Sequence, residues 1–140
     1  MPSPIQAPSG YSVSRAVAFA DVDGTALLVS STAPLPVTMG QAGTTPLAGS
    51  AAATGIAGPF TPVLGRPVIL SLQGTWTGTV KVVRSTDGGT TKLALTVGGT
   101  VWAQFNGNCC EPVWDESDTA ARLYLDITLA SGSVTYRLAQ

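Results

Sequence analysis

The chain contains no histidine, and its only two cysteines, Cys109 and Cys110, are neighbours. The first absence removes the commonest general base and metal ligand, and with it the usual activator of a serine or cysteine nucleophile. A disulfide between adjacent cysteines requires a strained ring with a distorted peptide, so two free thiols are expected. Zinc would need further ligands that the chain does not supply. Charge is scarce too: 11% of residues are charged, against roughly 25% in an ordinary soluble domain. A surface so poor in charge suits a protein that is covered by neighbours in an assembly. A formal net charge of -1, without a run of Lys or Arg, leaves no electrostatic footprint for a phosphate backbone and excludes nucleic acid as the main partner. No apolar run reaches the roughly 18 to 20 residues of a spanning helix, so no membrane partner is expected. Met1-Pro2-Ser3-Pro4 has neither the basic start nor the apolar core of a signal peptide, and synthesis in a cytosol is expected.

What the sequence does contain divides near Arg66. The length of 140 residues allows one domain, or a smaller domain of about 75 residues preceded by an arm. Residues 1–66 hold four charged side chains, Arg15, Asp21, Asp23 and Arg66, together with most of the prolines. They read as an extended Pro/Gly/Ala-rich arm for docking and oligomerisation. Within it, Tyr11–Ala20 and Thr25–Ser30 flank Asp21-Val22-Asp23-Gly24, which predicts a β-hairpin with Gly24 at the tight position. Pro34 and Pro36 bracket Leu35 and restrict that stretch to an edge or a polyproline-like path. From Gly40 to Gly58 neither period is present, and small side chains bury too little to offset the entropy of ordering the backbone. That stretch is expected to be a flexible linker unless a partner surface holds it. The candidate docking residues are Tyr11, Val13, Val17, Phe19, Leu35, Val37 and Phe60, with Tyr11–Ala20 adding a strand to a neighbour's sheet edge.

After Arg66 the period becomes two. Val68, Leu70 and Leu72 share one face of a strand, Val80 and Val82 one face of the next, and Leu93, Leu95 and Val97 one face of a third. Leu123, Leu125, Ile127 and Leu129 point inward before a turn at Ser131-Gly132-Ser133, and Val134, Tyr136 and Leu138 alternate to the end. The expected fold is all-β: an antiparallel, immunoglobulin-like β-sandwich of about seven strands over 67–140, folding without the arm. Of Trp76, Trp102 and Trp114, at least two are expected in its core; a carbohydrate-binding module would need them exposed. Glu111, Asp115, Glu116 and Asp118 could hold Ca²⁺, but an exposed acidic loop is the expectation. Asp21–Gly24 lacks the later carboxylates of a calcium loop. No Gly-x-Ser-x-Gly elbow is present, and no catalytic residue, cofactor site or metal site is assigned.

Three stretches carry a resemblance to known proteins. Ser85, Asp87, Gly89 and Thr91 in Arg84–Lys92 resemble the Asp-box hairpins of sialidase-like propellers, with Lys92 where that motif has an aromatic. Asp87 can accept backbone N–H bonds while Gly88 and Gly89 take positive φ, so this stretch is expected to be a ligand-free hairpin. Asp23–Met39 is similar to segments of small structural proteins of tailed bacteriophages. Phe60–Thr96, with Val134–Gln140, resembles a phage β-sandwich module with Gly-Arg-Pro, Gly-x-Trp-x-Gly-Thr-Val, Arg-Ser-x-Asp-Gly-Gly and a closing Tyr-Arg-Leu. These resemblances imply a non-enzymatic virion component, made in the host bacterial cytoplasm: a capsid decoration or head fibre protein, or a neck or tail attachment protein. Its partners would be other virion subunits, with a trimer of arms about a shared axis as the expected assembly. The alternative is a carbohydrate- or host-receptor-binding module with Trp76, Trp102 and Trp114 as glycan contacts.

Overall fold

The computed structural model describes residues 18–20, 23–37, 40 and 43–140. The chain divides into two compact units, Met1–Gly40 and Gln41–Gln140. In the first, β1 (Ala18–Ala20) pairs antiparallel with β2 (Ala26–Leu28), placing Phe19 opposite Leu27. Gly24 takes a φ of 81° in the reversal, and Asp23 Oδ1 accepts a hydrogen bond from the Thr25 N–H at 2.9 Å. The hairpin expected around Asp21–Gly24 therefore forms. Tyr11, Val13 and Val17 lie outside the described residues.

The second unit is antiparallel β throughout its regular structure. Its strands are β3 (Leu47–Ala51), β4 (Gly55–Phe60), β5 (Pro67–Ser85), β6 (Leu93–Ala94), β7 (Thr96–Val97), β8 (Thr100–Val101), β9 (Gln104–Phe105), β10 (Cys109–Asp115) and β11 (Arg122–Ala139). The long strand β11 is the spine. On one side, β3 and β4 lie end to end along it, Leu47–Ala51 facing Leu138 to Val134 and Gly55–Phe60 facing Ile127 to Leu123. On the other side, β5 follows it from Ser85 opposite Arg122 to Ile69 opposite Ala139. Beyond β5 come β10 against its first half and β9 and β6 against its second, which completes a seven-stranded sheet. Among the described residues the β7–β8 hairpin pairs only with itself.

The sheet bends where β5 passes through Gly74–Gly78 and β11 through Leu129–Ser133. The register shifts between Leu129 and Ser131, and Gly78 and Gly132 have φ of 139° and 83°. A Cβ at Gly132 would strike the Thr75 carbonyl, and one at Gly78 the Thr128 carbonyl, so glycine is what lets two paired strands turn this corner together. Asn108 braces the bend: its Oδ1 accepts from Trp76 Nε1 at 2.9 Å and its Nδ2 donates to the Gly74 carbonyl at 3.0 Å. Bending folds the two halves into a sandwich over one core. Val68, Leu70, Leu72, Val134 and Leu138 come from one half, and Val80, Val82, Leu123, Leu125, Ile127 and Phe60 from the other.

Five expectations need correction. The stretches expected as two strands on either side of Gly74, and on either side of Ser131–Ser133, are each one continuous bent strand. Residues 47–60, expected as part of a linker and arm, supply β3 and β4, because β11 offers them an edge along its whole length. Phe60 is in consequence a core residue, 1% exposed, and not a docking side chain. The boundary falls at Gly40 rather than Arg66. Leu93, Leu95 and Val97 do not share a buried face: only Leu95 is buried, since β6 and β7 belong to different sheets and the chain changes direction between them.

Candidate functional site

The opening strand of the Asp-box stretch ends at Ser85, and the turn that follows is built from its own side chains. Ser85 Oγ donates to Asp87 Oδ1 at 2.7 Å and accepts from the Gly89 N–H at 2.9 Å. Asp87 Oδ1 and Oδ2 accept from the Thr91 N–H at 2.9 and 3.0 Å. These donors hold the Asp87 carboxyl at about 2, the Ser85 hydroxyl contributing most. Gly88 and Gly89 have φ of 72° and 93°, as the sequence reading requires. Lys92 donates to the Gly89 carbonyl and lies 4.9 Å from the centroid of the Tyr124 ring. In this protein the cation covers a tyrosine where the motif has an aromatic.

Next to this hairpin, Glu116 is buried, 2% exposed, although the sequence suggested an exposed acidic loop. Arg84 reaches it with two bonds, Nε to Oε2 at 2.8 Å and Nη2 to Oε1 at 2.9 Å. Oε2 also accepts from Trp114 Nε1 at 3.1 Å, and Oε1 from the N–H groups of Ser117 and Asp118, both at 3.0 Å. Five donors thus converge on one carboxylate. The Arg84 guanidinium leads them in holding the Glu116 carboxyl at about 2, against the opposing effect of burial. Glu116 also closes the strand ends, since its carbonyl accepts from the Gly65 N–H at 3.0 Å. This pair escaped sequence reading because 31 residues lie between its partners, and neither Arg84 nor Glu116 has a local signal.

Between the hairpin, residues 93–96 and the Trp114 ring lies a groove of about 500 Å³, lined also by Arg84, Thr86, Asp87 and Thr91. Its charged groups, Arg84 and Asp87, are engaged as described. The three tryptophans are placed differently from one another. Trp76 and Trp114 are partly buried and pack against the core, whereas Trp102 is 48% exposed with its Nε1 donating to the Val113 carbonyl at 3.0 Å. They do not form one platform. Cys109 is partly buried and Cys110 exposed, both as free thiols, and burial pushes the Cys109 thiol up. Among the described residues no group of three or more Cys, Asp or Glu side chains is placed to hold a metal ion.

Exposed apolar side chains gather at two places. In the first unit Leu28, Val29, Leu35 and Val37 are exposed, Val37 at 74%. Phe19, the other described docking candidate there, is partly buried. In the second unit Leu93, Val97, Val101 and Trp102 are exposed along the β7–β8 excursion. The signal for this second patch was present in the sequence, where no charged residue stands between Lys92 and Glu111. Comparison of the chain with protein-family models, curated proteins and solved structures finds no match in any of the three.

Proposed function

We propose that the chain is a non-enzymatic structural component of a tailed-phage particle, a capsid decoration or head fibre protein or a neck or tail attachment protein. The segment ending at Gly40 docks it on neighbouring virion subunits. The observation that carries this reading is the row of exposed apolar side chains Leu28, Val29, Leu35 and Val37 in a unit whose described charge is Asp23 alone. Such a row is stabilised by removal from water, and a neighbouring subunit supplies the cover. Pro34 and Pro36 restrict the free segment and reduce the entropy lost on docking. The phage resemblance of Asp23–Met39 falls on the same residues. On the second unit, the groove's charged groups are already engaged, Arg84 by Glu116 and Asp87 by the Ser85 hydroxyl and the Thr91 N–H, which favours a structural over a catalytic use of that face.

The test offers particles lacking the protein either the full chain or a chain without residues 1–40, and measures occupancy. The truncated chain is expected to be folded and absent from the particles; equal occupancy overturns the docking role. A carbohydrate- or host-receptor-binding module is the second reading, favoured by the half-exposed Trp102 ring and by Trp114 in the groove. It requires loss of binding to host cells on Trp102→Ala or Trp114→Ala with occupancy unchanged.

A further inference from the structure

The two edges of the seven-stranded sheet are protected to very different degrees. The β10 edge carries Glu111, Asp115 and Pro112, and its register shifts between Pro112 and Trp114. Charge, proline and bulge are the devices that keep an edge strand from pairing with another chain. The opposite edge is shared by β3 and β4, and its β3 part, Leu47–Ala51, has the sequence Leu-Ala-Gly-Ser-Ala. It has none of these devices, and no charged residue occurs anywhere between Asp23 and Arg66. Among the described residues β3 pairs with β11 alone, which leaves its outer backbone groups without a strand. At its start the edge meets a groove of about 400 Å³ lined by Thr44, Thr45, Pro46, Pro59 and Val63, where the buried Thr44 Oγ1 has no hydrogen-bond partner.

We propose that β3 is a self-pairing edge: two copies of the chain join antiparallel through Leu47–Ala51, about a two-fold axis at Gly49, and extend their sheets into one. The occupant is a second copy because of charge and size. A two-fold axis at Gly49 sets Gly49 against itself and every other side chain of the strand against a near neighbour from the same segment, so like charges within the segment would be brought close together across the axis. This strand has none. With the axis at Gly49, Ala48 lies opposite Ser50 of the second copy and Leu47 opposite its Ala51, and no side chain larger than leucine has to be accommodated. Leu47 and Ala51 already pack against the core, while Ala48 and Ser50 are exposed on the other face. The pairing therefore continues an apolar inner face and adds no buried charge. It uses residues other than the docking candidates at 28–37 and is independent of the proposed virion role.

The experiment is light scattering on the full chain at about 100 μM, where an association of micromolar strength is saturated, beside two double variants, Ala48→Lys/Ser50→Lys and Ala48→Glu/Ser50→Glu. The parent is expected at an even multiple of the chain mass and each double variant at half the parent's mass. An equimolar mixture of the two variants should return to the parent's mass. Because both positions are exposed, thermal melts of the variants serve as the folding check, and a variant that melts early is replaced by Ala48→Arg/Ser50→Arg or Ala48→Asp/Ser50→Asp, which likewise set like charges opposite one another. A parent at the mass of one chain, an odd multiple, or a mass unchanged by the substitutions overturns the proposal.

Discussion

At the scale of the residue, the side chain with most structural influence is a carboxylate that no local pattern marks. Glu116 is surrounded by donors, and removing its charge leaves Arg84, beside a partly buried indole, with only the longer 3.4 Å contact to Asp118 Oδ2. Glu116→Gln is expected to destabilise the fold by about 2 kcal/mol. That is less than the loss of a wholly buried pair, because Arg84 stays in partial contact with water. Urea unfolding of the two proteins measures the difference. The pH dependence has a definite sign. Glu116 and Asp87 are held at about 2 in the folded chain, while unfolded carboxyls titrate at about 4. Between those values the unfolded chain binds more protons, so stability is complete above about pH 5 and is lost as pH falls toward 2. Unfolding at about pH 3 and pH 7 should show the fall, and Glu116→Gln should show a smaller one.

At the scale of the element, β5 and β11 depend on a shared bend. Gly132 combines positive φ with a Cβ direction that the Thr75 carbonyl blocks, so an added methyl meets both backbone strain and a fixed atom. Gly132→Ala is expected to cost about 2 to 3 kcal/mol, from strain and displaced pairing together. Denaturant midpoints test this. Ser133→Ala serves as the neighbouring control, since Ser133 is exposed and lies outside the positive-φ region. The same element shows why turn chemistry misled the sequence reading. Ser131-Gly132-Ser133 has the composition of a reversal, and a glycine that permits a reversal equally permits a corner. Which occurs depends on whether the partner strand bends at the same level, and Gly74 and Gly78 make β5 do so.

At the scale of the molecule, the compact second unit includes β3 and β4 as well as the strands after Arg66. Phe60 fills the core, and β3 with β4 covers one side of β11 from end to end. A fragment of residues 41–140 is expected to melt cooperatively as a β-protein. A fragment of residues 67–140 is expected to lack a cooperative melt, because it forfeits the phenyl ring and leaves the backbone of β11 open along its length. Circular dichroism with thermal melts of the two fragments decides it. Folding of the shorter one would show that β3 and β4 are accessory. The same boundary sets the truncation used to test docking. A cut at residue 62 would remove core and docking segment together, whereas a cut at residue 40 separates them.

Much of this protein was legible in the order of its residues. Alternation at Val68–Leu72, Val80–Val82, Leu123–Ile127 and Val134–Leu138 identified an antiparallel all-β fold and most of its core. The reversals at Gly24 and at Asp87–Gly89 were also readable, because a hairpin turn is satisfied by atoms within a few residues of one another. Only the tertiary structure decided that the stretch from Leu47 to Phe60 is sheet, that Glu116 is buried, and that Leu93 and Val97 face water. Each of those outcomes turns on a group distant in sequence: the free edge of β11 for Ala and Gly residues with little strand preference of their own, and the guanidinium of Arg84 for a carboxylate. For Leu93 and Val97 it turns on the path of the excursion, which β5 holds at β6, at Ala103 and at β9. Periodicity reports which face a side chain takes along a strand, but whether that face is covered depends on strands from elsewhere in the chain.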